Sequence, residues 1–135
     1  MKIHEDGSVE EGDRVSNKLS GPGRVIYANG NYYHGEFLAN KRHGKGEFHW
    51  LNGKKYVGDF VNGNFHGDGT KYYSDGSTYE GQWENDKRHG LGTTTDRNGH
   101  FDISHWIEDK KVAGIPFPEE ILREKLGQKV YKTYK

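Results

Sequence analysis

The sequence predicts an all-β protein, an elongated single-layer antiparallel sheet of stacked β-hairpins, and three observations carry that prediction. The stretch Y-E-G-Q-W-E-N-D-K-R-H-G-L-G at residues 79–92 has near copies at 33–46 and 56–69, so one supersecondary unit recurs every 23 residues. Glycine keeps the same interval in four rows: Gly7, Gly30, Gly53, Gly76 and Gly99; Gly12, Gly35, Gly58 and Gly81; Gly21, Gly44, Gly67 and Gly90; Gly23, Gly46, Gly69 and Gly92. Of the 20 glycines only Gly63, Gly114 and Gly127 fall outside, a placement that chance does not produce. Within each copy, large rings alternate with glycine at a spacing of two, the period at which side chains return to one face of a strand.

The elements of a unit follow from this register. The first glycine row is always preceded by Asn or Asp (Asp6, Asn29, Asn52, Asp75, Asn98), which predicts a two-residue type I′ hairpin turn with φ > 0 at both residues. A second, less uniform turn is predicted at Ala39-Asn40, Asn62-Gly63 and Asn85-Asp86, leaving two strands of about five or six residues per unit. Tyr33, Gly35 and Phe37 share a face, as do Tyr56, Gly58 and Phe60, and Tyr79, Gly81 and Trp83. In the second strand Gly44, Gly46, Phe48 and Trp50 line up in the same way. Rings of one hairpin are expected to lie over the glycines of its neighbour, each cross-strand pair stabilising the sheet by about 0.2–1 kcal/mol. The opposite face carries His34, Glu36, His43, Lys45 and Glu47 and is wet.

The flanks depart from the unit in readable ways. Three full repeats, 33–55, 56–78 and 79–101, sit between degenerate ones in a ribbon over residues 1–114. In residues 1–14, Glu10 and Arg14 stand where the ring pair belongs, a worn strand whose acidic cluster reads as a solubilising cap. After residue 101 the unit decays: Asp102 and Ser104 replace tyrosine and glycine while Trp106 keeps the ring position, which predicts one more strand over 101–107 and a turn at Glu108-Asp109. Residues 115–127 change period. Pro118, Glu119 and Glu120 suit the start of a short helix and Gly127 its end, with Phe117, Ile121, Leu122 and Leu126 covering the open sheet edge and a basic tail following to residue 135.

Composition narrows the function classes. A 30% hydrophobic content in 135 residues would fit disorder, but the periodicity and 13% aromatic residues place the apolar surface in a thin strip that each repeat covers for the next. Twenty basic and twenty acidic residues cancel, so no overall field draws the chain to nucleic acid or an anionic membrane. Cysteine is absent, which excludes a disulfide framework and fits a reducing compartment; no stretch is apolar enough for a signal peptide or a membrane-spanning helix, and a cytoplasmic protein is expected.

The pattern Y-x-G-x-[FW]-x(6)-G-x-G over about residues 6–114 resembles the MORN repeat, the membrane occupation and recognition nexus. The K-R-H-G of residues 41–44 and 87–90 resembles the version found in ciliary radial-spoke-head proteins. The resemblance implies a solenoid of hairpins; for function it spans axonemal subunits, junctional membrane proteins, phosphoinositide kinases, cytoskeletal scaffolds and a methyltransferase.

No catalytic, cofactor or metal constellation emerges from the residues. His43, His66 and His89 form a ladder, but successive rungs lie two strands, about 10 Å, apart, too far for one metal ion. Glu36, Asp59 and Gln82 occupy one register position and offer no acid/base pair. An open ribbon also lacks a pocket that excludes water, so no enzyme is expected and no cofactor either. What remains is surface. The candidate partner-binding residues are the strip Tyr33, Phe37, Trp50, Tyr56, Phe60, Tyr79 and Trp83, the ring Phe65 expected on an exposed rim, and the protruding pairs Lys41-Arg42 and Lys87-Arg88. The expected protein is an entire small subunit, a non-catalytic scaffold or adaptor binding protein partners in a cytoskeletal assembly such as the ciliary axoneme. The second expectation is a peripheral adaptor that binds anionic phospholipid through the same basic residues.

Overall fold

The computed structural model describes residues 1–112, which form one open, 11-stranded antiparallel sheet whose spatial order is the chain order. The strands are β1 Lys2–Ile3, β2 Val9–Val15, β3 Lys18–Ile26, β4 Tyr32–Leu38, β5 Lys41–His49, β6 Lys55–Val61, β7 Asn64–Tyr72, β8 Thr78–Glu84, β9 Lys87–Thr95, β10 Phe101–Ile107 and β11 Lys110–Val112. The all-β ribbon of stacked hairpins is therefore the observed architecture, and the strand expected over 101–107 with its turn at Glu108-Asp109 is present as β10. The helix expected over 115–127 and the basic tail lie outside the described residues.

The strands are longer than expected, alternating between 7 and 9 residues from β2 to β9. The extra length of the second strand comes from a bulge. Phe37 pairs with Arg42 and Gly35 with Gly46, so β5 spends four residues where β4 spends two. The same irregularity recurs between β6 and β7 and between β8 and β9. Gly44 takes φ +73 inside it, and the Glu36 carboxylate accepts a hydrogen bond from the Lys45 N–H at 2.9 Å. Asp59 and Gln82 accept in the same way from Asp68 and Leu91, at 3.0 and 2.9 Å. The column read as wet-face acids thus fastens the bulges, which is why a neutral glutamine serves as well as a carboxylate.

The two turn types are exchanged relative to the prediction. Asn29 does not have positive φ; Gly30 alone does, at +93, and its N–H donates to the Tyr27 carbonyl at 3.0 Å while Tyr27 N–H donates to Asn31. This is a three-residue loop with glycine in the left-handed position. The preceding Asn or Asp is selected by its side chain, which accepts from the N–H two residues on: Asn31 to Asn29 at 3.0 Å, Lys54 to Asn52 at 3.1 Å and Ser77 to Asp75 at 2.8 Å. The two-residue turn with positive φ at both positions is the other one, at Ser16-Asn17, Ala39-Asn40, Asn62-Gly63, Asn85-Asp86 and Glu108-Asp109.

These two-residue turns also join units. Asn40 N–H donates to the Leu19 carbonyl at 2.9 Å, and the Leu19 N–H donates to Asn40 Oδ1 at 2.8 Å. Asp86 holds Phe65 and Asp109 holds Arg88 by the same reciprocal pair.

The core is one strip along one face. Tyr33, Tyr56 and Tyr79 are fully buried, each meeting the next large ring of its own strand edge-on at about 5 Å (Tyr33 to Phe37 5.0 Å, Tyr56 to Phe60 5.1 Å, Tyr79 to Trp83 5.1 Å). Each tyrosine lies over the glycines of its own unit rather than a neighbour's: a Cβ at Gly46, Gly69 or Gly92 would overlap the ring of Tyr33, Tyr56 or Tyr79. The hydroxyls donate to the carbonyls of Glu36, Asp59 and Gln82 at 2.7–2.9 Å, anchoring the ring to the bulge. Neighbouring units meet through the second ring, Phe60 crossing Tyr33 at 5.1 Å and Trp83 crossing Tyr56 at 5.4 Å. Where the N-terminal unit lacks this pair, Glu10 and Arg14 occupy its positions as an ion pair at 3.0 Å.

Candidate functional site

The residues singled out from the sequence divide into those the fold uses up and those left to solvent. Tyr33, Phe37, Tyr56, Phe60, Tyr79 and Trp83 are all buried, between 0% and 5% exposed, so they are core and present no groove to a partner. Burial raises the Tyr33, Tyr56 and Tyr79 phenols far above their ordinary value. Phe65, expected on an exposed rim, is 8% exposed and stacks on Tyr56 with centroids 4.0 Å apart and planes within 13°. It fills the place that Arg42 and Arg88 hold in the adjacent units, opposite Phe60 as they are opposite Phe37 and Trp83.

Arg42 and Arg88 are likewise turned inward. The Arg42 guanidinium lies 4.9 Å from the Phe48 ring centroid and 5.7 Å from that of Phe60, and donates to the Gly63 carbonyl at 2.6 Å and to the Tyr27 hydroxyl at 3.3 Å. Arg88 covers Trp106 at 4.2 Å and binds the Asp109 carboxylate and carbonyl at 3.1 and 3.2 Å. Both therefore clamp one unit to the turn of the next. At Gly63, where the turn has no side chain to hold its neighbour, Arg42 supplies the link. Lys41 and Lys87 are exposed as expected. Parity held this information: Arg42 shares the even register of Gly44, Gly46 and Phe48, and Phe65 the odd register of Gly67 and Gly69.

A second column lies beside the strip and remains partly open. Tyr27, Trp50 and Tyr73 occupy equivalent positions in successive units, half-buried against the core. Trp50 meets Phe48 at 4.7 Å and Phe65 at 5.7 Å. Lys71 sits between the last two, its Nζ 5.0 Å from the Trp50 centroid and 5.3 Å from that of Tyr73. Burial, with the Lys54 charge second, lowers the Lys71 ammonium pKa. Of the partner-binding set only Trp50 belongs to this column; Tyr27 reads from the sequence as a packing-face ring beside Val25, and the ring at 73 falls outside the Y-x-G-x-[FW] core. In the following unit Asp96 replaces the ring, and a surface concavity of about 500 Å³ opens there among Tyr73, Thr78, Arg88, Thr94, Asp96 and Phe101.

The polar face carries paired charges. Lys45 pairs with Asp59, which raises the lysine's pKa; at the end of the aromatic face Lys111 reaches Asp102, in the tyrosine position, at 3.0 Å and with Ser104 lowers that carboxylate. On β4 and β5, His34, Glu47 and His49 gather with Tyr32. The His34 Nε2 lies 2.8 Å from Glu47, and His49 stacks on Tyr32 at 4.3 Å. Burial lowers the His49 pKa. From the sequence His34 and Glu47 read only as wet-face residues, and His49 joins them through the register of β5 with β4.

Comparison with known proteins agrees with this geometry. No curated protein matches the chain. The MORN repeat model matches residues 11–32, 33–55, 56–78 and 79–101, one repeat more than the sequence pattern counts as full; Leu19 and Val25 supply the buried core of the unit at 11–32. Four consecutive matches across one continuous sheet identify a repeat scaffold, and the chain belongs to the MORN repeat family.

Proposed function

We propose that this chain is a non-catalytic structural or adaptor subunit that holds protein partners along the aromatic face of its sheet. The observation that carries the reading is the column Tyr27, Trp50, Tyr73 with Lys71 between its rings: half-buried aromatic side chains at one register position of successive units, about 10 Å apart, on a rigid backbone. Rigid rings with a nearby cation are the side chains that dominate protein interfaces, since they contribute large contact area at low entropic cost. The partner seat is accordingly this column, with Lys41 and Lys87 on the rim, rather than the buried rings. A cytoplasmic cytoskeletal assembly of the axonemal type is the setting we propose, on the K-R-H-G resemblance.

The test is an affinity capture with the tagged chain from ciliated and non-ciliated cell extracts. Trp50→Ala and Tyr73→Ala are expected to lose the captured proteins while keeping the thermal unfolding midpoint within a few degrees of wild type, and Lys41→Ala with Lys87→Ala is expected only to weaken capture. Stoichiometric recovery of axonemal proteins supports the setting. Capture that survives the two ring substitutions, or flotation with anionic vesicles in the absence of captured protein, would reject the reading.

A further inference from the structure

The polar face holds a cluster that the other matched repeats lack. In the sheet register Tyr32 is opposite His49 and His34 is opposite Glu47, so Glu47 and His49, two residues apart on β5, and His34 on β4 project from one face. One ligand atom from each of His34, Glu47 and His49 lies within 4.8 Å of the other two. Nitrogen and oxygen ligands held about 2.0–2.2 Å from a tetrahedral Zn²⁺ stand about 3.4 Å from one another, and the separations here bracket that value, from 2.8 Å for His34 to Glu47 to no more than 4.8 Å. The rings are already aligned: Tyr32, His34 and His49 are near-parallel, the two imidazoles 5.8 Å apart with planes 20° from each other.

The repeat supplies its own control. The positions equivalent to His34 are Glu11, Val57 and Glu80; those equivalent to Glu47 are Arg24, Thr70 and Thr93; those equivalent to His49 are Ile26, Tyr72 and Thr95. The same backbone is built three more times with no imidazole at any of these positions, so hairpin formation does not require this set. The histidine ladder at 43, 66 and 89 is the contrasting case, spread along the array at one residue per unit.

We propose that His34, Glu47 and His49 form a binding site for a single divalent cation of the zinc class. Two imidazoles and a carboxylate suit a borderline ion such as Zn²⁺ and disfavour Ca²⁺ or Mg²⁺, which take oxygen ligands only. The site is three-coordinate from the protein and open to solvent. Tyr32 fixes the His49 ring, and the backbone pairing of β4 with β5 fixes the spacing.

The experiment is calorimetric titration of ZnCl₂ into the full, tag-free chain after chelator treatment, repeated for His34→Gln, His49→Gln and Glu47→Gln, with His66→Gln and His89→Gln as ladder controls. The expected result is one saturable site per chain and a zinc-dependent rise in the unfolding midpoint, since the ion binds only the folded form. Each of the three ligand variants is expected to weaken binding at least about tenfold, the loss that removal of even an outer-shell partner produces, while the ladder controls bind as wild type. Titration with Co²⁺ gives a second readout, visible d–d absorption of a low-coordinate site, which His49→Gln abolishes. Circular dichroism on each variant separates lost ligation from lost folding. Uptake that does not saturate at one ion per chain, or that persists unchanged in His34→Gln and His49→Gln, would overturn the proposal.

Discussion

The units 33–55 and 56–78 share a backbone and assign ring and charge to opposite places. In the first, Arg42 stands opposite Phe37 and Phe48 opposite Tyr33; in the second, Phe65 stands opposite Phe60 and Lys71 opposite Tyr56. Each of these two units thus sets one aromatic and one cationic residue opposite its tyrosine and second ring, by either arrangement, whereas the third sets Thr94 opposite Tyr79 and Arg88 opposite Trp83. The strip is defined by the pair and its geometry rather than by the residue type at one position, so a repeat consensus blurs what neighbouring copies keep distinct.

Truncation distinguishes the two arrangements most sharply. Phe65→Ala removes a ring that touches Trp50, Tyr56, Phe60 and Trp83 and is expected to cost about 3–5 kcal/mol by urea unfolding. Arg42→Ala, at the equivalent place, loses its hydrogen bonds to Gly63 and Tyr27 and its ring contacts and is expected to cost only about 1–3 kcal/mol. Equal losses would show that the two positions do the same work.

The tyrosine shelf is next. Gly69→Ala drives a methyl into the Tyr56 ring and is expected to destabilise by about 3 kcal/mol, whereas Gly53→Ala meets open space and costs only the strain of φ +95, about 1–2 kcal/mol. Comparable effects at both would argue that backbone conformation, not ring cover, selects the row.

An exchange tests the pairing itself. Phe65→Arg alone puts two cations beside Tyr56; Phe65→Arg with Lys71→Phe rebuilds the arrangement of the preceding unit. The double variant is expected to be more stable than the sum of the single changes by about 1 kcal/mol, read as the coupling energy of a double-mutant cycle. No coupling would mean that ring and cation are placed independently.

The smallest effect is a slope with pH. The buried phenols of Tyr33, Tyr56 and Tyr79 have raised values, so their contribution is complete below the ordinary value of 10.0 and is lost above it, where the unfolded chain releases protons that the folded chain keeps. Lys71, lowered by burial, acts in the opposite sense, gaining stability as pH rises toward 10.5. Three phenols outweigh one ammonium, so stability falls in alkali. Lys71→Met should make the fall steeper; ionisation of Tyr33, Tyr56 or Tyr79 ahead of unfolding, read from their own ring signals by NMR, would contradict the burial.

The glycine rows and alternating rings made the sheet, its period and its order legible in the sequence, because both follow from backbone geometry. Side-chain destinations were harder to read. Nearness to a turn suggests exposure at Arg42, Arg88 and Phe65, whereas register puts them on the aromatic face and the next unit's turn folds over them. The Asn-Gly and Asp-Gly dipeptides named a turn but not its type, since the amide or carboxylate of Asn29 or Asp75 decides that by accepting a hydrogen bond. The cluster of His34, Glu47 and His49 was invisible to a search along one strand because its members belong to two.

Arg42 and Arg88 bracket Phe65, and Leu19 precedes them, so the column runs uncharged, charged, uncharged, charged before Lys111 ends it against Asp102. Two cations thus stand in adjacent units at the end of the column, each with its own acceptor, Asp109 for Arg88 and Asp102 for Lys111. An added or lost hairpin is therefore tolerated at this position wherever the next turn or strand offers a carboxylate or a carbonyl to the cation it receives.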